Sequence, residues 1–216
     1  MRSPPFTAEI LDSVIGQYNQ AIWPLPIVAC VLVVAAVVPT LRPFPGSGRS
    51  VAAVLAVVWA WVGVGFHLGP AAAIDFAAPG YGAAFVLQAL LLAWSGTVRG
   101  NLAFRFRPDP AGWTGLGCVA LGVVGWPLLA ALAGQSWPSL PLAGTSPDPT
   151  ALASIGLLLL GSARDRLHLI VVPALWAAVA GLQGWMLDTP ERLLLPAAAA
   201  IAVVLAIRAK VRGDAG

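Results

Sequence analysis

The sequence predicts an all-α protein, a polytopic membrane bundle of seven transmembrane helices with its N-terminus outside and its C-terminus cytoplasmic. Three observations carry that expectation. Of 216 residues, 59% are hydrophobic and 10% charged, whereas an average soluble domain is roughly 45–50% apolar and about 25% charged. A soluble fold of this size would expose more apolar surface than so few charges could solubilise. Next, apolar stretches near the ~20 residues of a spanning helix recur at 24–41, 50–68, 80–98, 112–134, 147–164, 167–187 and 191–209. Lastly, with seven spans, Arg42, Arg49, Arg99, Arg105, Arg107, Arg164, Arg166, Arg208, Lys210 and Arg212 fall on one side, and Arg2 and Arg192 on the other. That 10-to-2 split is what the positive-inside rule expects.

Residues 1–23 read as an outer interfacial segment. Phe6, Ile10, Leu11, Val14, Ile15, Tyr18 and Ile22 follow a helical period, with Glu9, Asp12, Ser13, Gln17 and Asn19 opposite. Thr7 is its N-cap, and Trp23-Pro24 leads into the first span. That span is not a signal peptide, because Arg2, Glu9 and Asp12 precede it and no small-residue cleavage site follows. The seven spans form one domain over 24–209, and 210–216 is a cytoplasmic tail.

The fifth span is short. Its apolar run, Ala151 to Ala163, reaches spanning length only if Ser146 caps the helix and Pro147 and Pro149 sit in the first turn. A re-entrant fifth segment would turn the charge split into 6 against 6, so a full crossing is preferred.

Small residues should hold the bundle together, since lipid gives no hydrophobic drive between helices. Thr114, Cys118 and Gly122 offer such a face in the fourth span, and Ala52, Ala56 and Gly63 in the second. Pro127, Pro173 and Pro196 fall within spans and should kink them. Trp23, Trp113 and Trp185 suit the membrane interfaces, while Trp59, Trp61, Trp94, Trp126 and Trp176 lie deeper and need acceptors for their indole N–H groups.

The chemistry is framed first by exclusions. Cys30 and Cys118 stand apart, without a CxxC or Cys/His cluster, which removes disulfide, zinc and iron–sulfur scaffolds. His67 and His168 map to opposite ends of the bundle and cannot share a heme or metal, so no cofactor or metal site is expected. No span carries a charge near its middle, as ion-coupled pumps do. Lys210 lies at the end of the last helix, where a retinal Schiff base has no place. Hydrolase, metalloprotease and phosphate-loop motifs are absent, and the scattered basic residues give no nucleic-acid footprint.

What remains gathers on the outer side: Asn19, Trp23, His67, Asp75, Gln135 and Asp148, with Gln88 deeper on a face shared with Tyr81, Ala84 and Ser95. Each has an ordinary structural reading. Asp148 favours a helix N-terminus, Gln88 a neighbouring helix, Asp75 a loop cap, and His67 an interfacial contact. Together these seven are the candidate ligand-binding residues.

Several motifs resemble a domain-of-unknown-function family of bacterial multi-pass membrane proteins, some of whose members are labelled permeases. They are Tyr18-Asn19, Ile22-Trp23-Pro24, His67-Leu68, Ile74-Asp75, Phe85-Val86-Leu87-Gln88, Gly134-Gln135, Trp137-Pro138, Pro147-Asp148-Pro149-Thr150 and Pro173 through Trp176. The resemblance implies fold and location and supplies no activity. Three positions depart from the family pattern: Asn is usual where Asp75 stands, His where Gln135 stands, and Cys where Asp148 stands. Any metal or thiol chemistry resting on that His or Cys is lost here.

Two functions lead the expectations, ahead of an enzyme with His67 and Asp75 as an acid/base pair. One is a small permease-like or solute-binding protein with an outer-facing polar pocket, in which His67→Ala or Gln88→Leu abolishes binding. The other is a non-enzymatic accessory subunit of a larger membrane complex. Expected partners are the lipid bilayer, a small-molecule ligand, and a membrane-protein partner or second copy. Arg outnumbers Lys 11 to 1 in a chain rich in Ala, Gly and Pro, which suggests a GC-rich bacterial genome and hence the inner membrane.

Overall fold

The computed structural model describes residues 6–161 and 166–211, with side chains over 6–161 and 167–208. Arg2, Arg164 and the tail from 212 lie outside the described residues. Among the described residues ten α-helices run in order: α1 (Ala8–Ala21), α2 (Leu25–Ala35), α3 (Val38–Leu41), α4 (Ser47–Trp61), α5 (Ala78–Leu92), α6 (Pro110–Ala120), α7 (Trp126–Leu132), α8 (Pro147–Leu159), α9 (Arg166–Met186) and α10 (Leu194–Val211). Among the described residues the β-structure is one isolated bridge, Phe104 to Gly161.

Among the described residues five helical stretches are long and apolar enough to cross a membrane: Ser47–Ala73, Ala78–Val98, Pro110–Leu132, Leu167–Met186 and Pro190–Arg208. The bent pair Ala8–Ala21 and Leu25–Leu41, 90° apart, makes a sixth if counted as one span. This is fewer than the seven expected. The first expected span, 24–41, corresponds to Leu25–Leu41, that is α2 and α3 joined by a turn at 36–37, and it is counted only together with α1, from which it bends by 90°. The fifth is α8, 13 residues and about 20 Å of helix, too short to cross by itself.

α8 is instead the core. Residues 141–160 are all buried, and α8 packs against α4, α6, α9 and α10. Close approach to α6 depends on two glycines: a Cβ at Gly115 would stand 2.8 Å from the Gly156 carbonyl, and one at Gly156 2.5 Å from that of Gly115. Of the small-residue face foreseen on the fourth span, Gly122 also meets α8, where a Cβ would stand 2.8 Å from the Pro149 carbonyl. The two ends of α8 tie into opposite ends of the bundle. Its N-terminus sits beside Arg192, ahead of α10, and its C-terminus joins the loop after α5, where the Arg105 N–H donates to the Leu160 carbonyl at 2.8 Å.

Three of the long helices loosen into π-helical winding at Val62–His67, Ala93–Val98 and Leu121–Gly125. The last runs into Pro127, which has no N–H and whose ring crowds the carbonyl four residues back. Wider winding accommodates it. Pro173 acts differently. It leaves the Leu169 carbonyl in α9 without its helical donor, and the Gln88 side-chain amide of α5 donates to that oxygen at 2.8 Å. Pro196 is the third residue of α10, in the first turn, where no helical donor is lost.

Other expectations divide. Thr7 caps α1 through the Ile10 N–H. Trp23, Trp113 and Trp185 are exposed on the bundle surface, and Trp59 and Trp176 find acceptors in Ser154 and Asp148. Trp61 and Trp94 are not enclosed by the bundle. Both face outward, and the Arg99 guanidinium lies 5.2 Å from the Trp94 ring.

Candidate ligand site

Where α1 crosses the bundle end, it roofs a cavity of about 80 Å³. A single water needs about 10–15 Å³, so the space suits several waters or one small organic molecule. Phe6, Leu11, Asp12 and Ile15 line it from α1 and the residues before it. The apolar side of α1 therefore covers a cavity. Asp12, which the helical period assigns to the polar face, turns inward and accepts from the Gln135 amide at 2.7 Å. Burial pushes its carboxyl above the ordinary carboxylate range, while the bond from Gln135 pulls the other way.

His67 ends the π segment that extends α4. The wider winding there, with the Leu68 N–H reaching five residues back to Gly63, sets the direction of the ring. That ring is 2% exposed and lies 4.7 Å from Phe85, 5.0 Å from Trp176, 5.5 Å from Phe66 and 5.9 Å from Tyr81, centroid to centroid. Neither of its nitrogens has a hydrogen-bond partner among the described residues.

Opposite stands a buried ion pair. The Arg192 Nε donates to Asp148 Oδ2 at 2.8 Å, and the Trp176 indole N–H donates to Oδ1 at 3.0 Å. Arg192 Nη2 donates to Gln183 Oε1 at 3.1 Å, and Nη1 is unpartnered among the described residues. Asp148 sits in the first turn of α8, so the helix dipole adds to the guanidinium in favouring its charge. Buried charge is thus present after all, at helix ends rather than mid-span, and both partners arrive together as burial requires. Asp75, on the loop before α5, is 8% exposed. Its Oδ1 accepts the Ala77 N–H at 2.9 Å in a local turn.

Of the seven candidate residues, His67, Asp75, Gln135 and Asp148 line this cavity. Asn19, Trp23 and Gln88 do not. Asn19 donates to the carbonyls of Pro138 and Leu140, tying α1 to the 134–146 loop. Trp23 packs edge-on against Trp137, 5.2 Å between centroids. Gln88 is occupied with the carbonyl that Pro173 frees. Sequence reasoning passed over Arg192, Trp176, Tyr81, Gln183 and Asp12. A signal existed for two of them, since Trp176 and Gln183 are seven apart and so share one face of α9. For Arg192 the signal was its place on the acidic side of the charge map, the same side as Asp148.

The architecture defines an all-helical protein with helices fit to cross a membrane and a polar, aromatic-walled cavity at one end. Within that class, the chain belongs to a family of unknown function, DUF6064, whose pattern matches residues 8–215. No curated protein and no solved structure matches it.

Proposed function

We propose that this is a small-solute-binding, permease-like protein of the bacterial cytoplasmic membrane, with its ligand held in the cavity beneath α1. One observation carries the reading: His67 is almost wholly buried on the cavity wall with both nitrogens unpartnered, beside a buried ion pair that also keeps a free N–H. Buried polar groups are nearly always hydrogen-bonded, and a concave, mostly apolar site with a few unsatisfied polar groups is the usual form of a small-molecule pocket. π segments in spanning helices often accompany function, and His67 stands on one.

In this reading α8 counts as a traverse, sheathed by its neighbours, and α2 with α3 as another, which restores seven crossings. The N-terminus and the cavity then face outward. The arginines of the opposite end face the cytoplasm, as the positive-inside rule favours. The excess of Arg over Lys supports a bacterial origin.

Native mass spectrometry of the protein, gently extracted from its host membrane, tests the proposal. The expected result is a single chain carrying a reproducible small-molecule mass that His67→Ala removes without unfolding the protein. A bare chain in stoichiometric complex with a second polypeptide would overturn it in favour of an accessory subunit.

A further inference from the structure

We infer that the cavity takes a small organic cation, an alkylammonium with a short apolar body, and that Asp75 is its counter-ion. This rests on the solute-binding reading above and names the ligand class. The Asp75 carboxylate lines the cavity at 8% exposure, and among the described residues no arginine, lysine or histidine stands within ion-pair distance of it. In the same cavity Asp148 has Arg192 for a partner. A carboxylate withdrawn from water without a cation is costly, so an incoming positive charge is stabilised there and a negative one is repelled.

The remaining charges act in the same direction. Asp12 and Glu191 also line the cavity without an ion pair among the described residues, and the guanidinium on its wall is already matched by Asp148. The walls favour an organic over an inorganic ion. Phe66, Tyr81 and Trp176 present aromatic rings, which attract ammonium groups. Among the described residues no three His, Cys, Asp or Glu side chains converge as a bound metal ion requires. A neutral His67 keeps one donor and one acceptor nitrogen unused.

The test uses the full chain in nanodiscs of zwitterionic lipid, titrated with n-butylammonium, n-butanol, butyrate and potassium ion. Tryptophan fluorescence and thermal unfolding are the readouts. The expected result is saturable binding of butylammonium, with the other three at least tenfold weaker. Asp75→Asn, which keeps the acceptor for the Ala77 N–H, should weaken butylammonium at least tenfold, and Asp75→Glu should recover part of the loss. Equal binding of butanol and butylammonium, unchanged in Asp75→Asn, would overturn the cation assignment and leave the solute-binding reading in place. Failure of all four probes would also overturn it, and the native mass measurement would then judge the broader reading separately. If Asp75→Asn does not fold, the ranking of the four probes on the unaltered protein decides.

Discussion

Two buried side-chain contacts show how a polar group is tolerated in this chain. Asp148 and Arg192 neutralise each other out of water, and removing one leaves the other uncompensated, a change that costs about 3–5 kcal/mol in buried pairs. Arg192→Met should therefore destabilise by about that much in equilibrium unfolding. Adding Asp148→Asn should return most of it, because the stranded charge is gone and an acceptor for the Trp176 indole remains. A double variant as unstable as Arg192→Met alone would show that Arg192 acts through packing. Gln88 answers a different need, since it replaces the donor that Pro173 takes from Leu169. Gln88→Leu should cost about 0.6–2 kcal/mol, the usual worth of an interhelical hydrogen bond in membranes. In a Pro173→Ala background the helix supplies its own donor, so the same change should cost little. Equal costs in both backgrounds would refute the coupling. Because Gln88 lies outside the cavity, its loss should leave ligand binding intact, unlike the expectation drawn from its polarity alone.

At the level of elements, the sequence was legible where periodicity and punctuation agree. The α1 period, the Thr7 cap and the long apolar runs of α4, α5, α6, α9 and α10 all survive into the structure. It was least legible for α8, whose composition reads as one more span. What sets α8 apart is that all its neighbours pack against it, a tertiary fact that hydropathy does not encode. The candidate site was half legible for a related reason. Placing residues by topology found the right end of the bundle and four of the cavity's residues, but rotation about each helix decided which side chains turn inward. Asp12 went astray on rotation, Gln88 faces the bundle as expected but lies about two turns beyond Tyr81 of the cavity wall, and the π segment ending at His67 shifts the register by one residue per turn. The packing of α8 on α6 can be tested directly. Gly156→Val places branched carbons against the Gly115 carbonyl, and overpacking of this kind costs about 1–3 kcal/mol. Gly117 faces open space, so Gly117→Ala should be neutral or slightly stabilising in the same unfolding assay.

For the whole molecule, the structure sorts the loops into two sets. The cavity gathers Asp75, Gln135, Pro147 and Glu191 at one end, so the α4–α5, α7–α8 and α9–α10 connections lie together. The opposite end joins the α3–α4 loop to the segment after α5: Phe106 N–H donates to the Thr40 carbonyl, and Pro43, Phe44 and Arg105 border one cleft. Arg42, Arg49, Arg99, Arg105 and Arg107 all belong to this second set, which matches the charge asymmetry of the sequence. Sidedness can therefore be measured with a membrane-impermeant thiol reagent on intact cells. Cys30 and Cys118 are first replaced by alanine, and single cysteines are then placed at exposed Phe76 and Asp188 for the cavity end and at exposed Phe44 for the other. Phe76→Cys and Asp188→Cys should label in intact cells, and Phe44→Cys only after the membrane is opened. Phe76 and Asp188 flank the same cavity, so opposite labelling of these two would contradict the arrangement of the fold itself. The reversed pattern, with Phe44 alone labelled, would keep the fold and turn the cavity toward the cytoplasm, where a ligand would have to come from inside the cell.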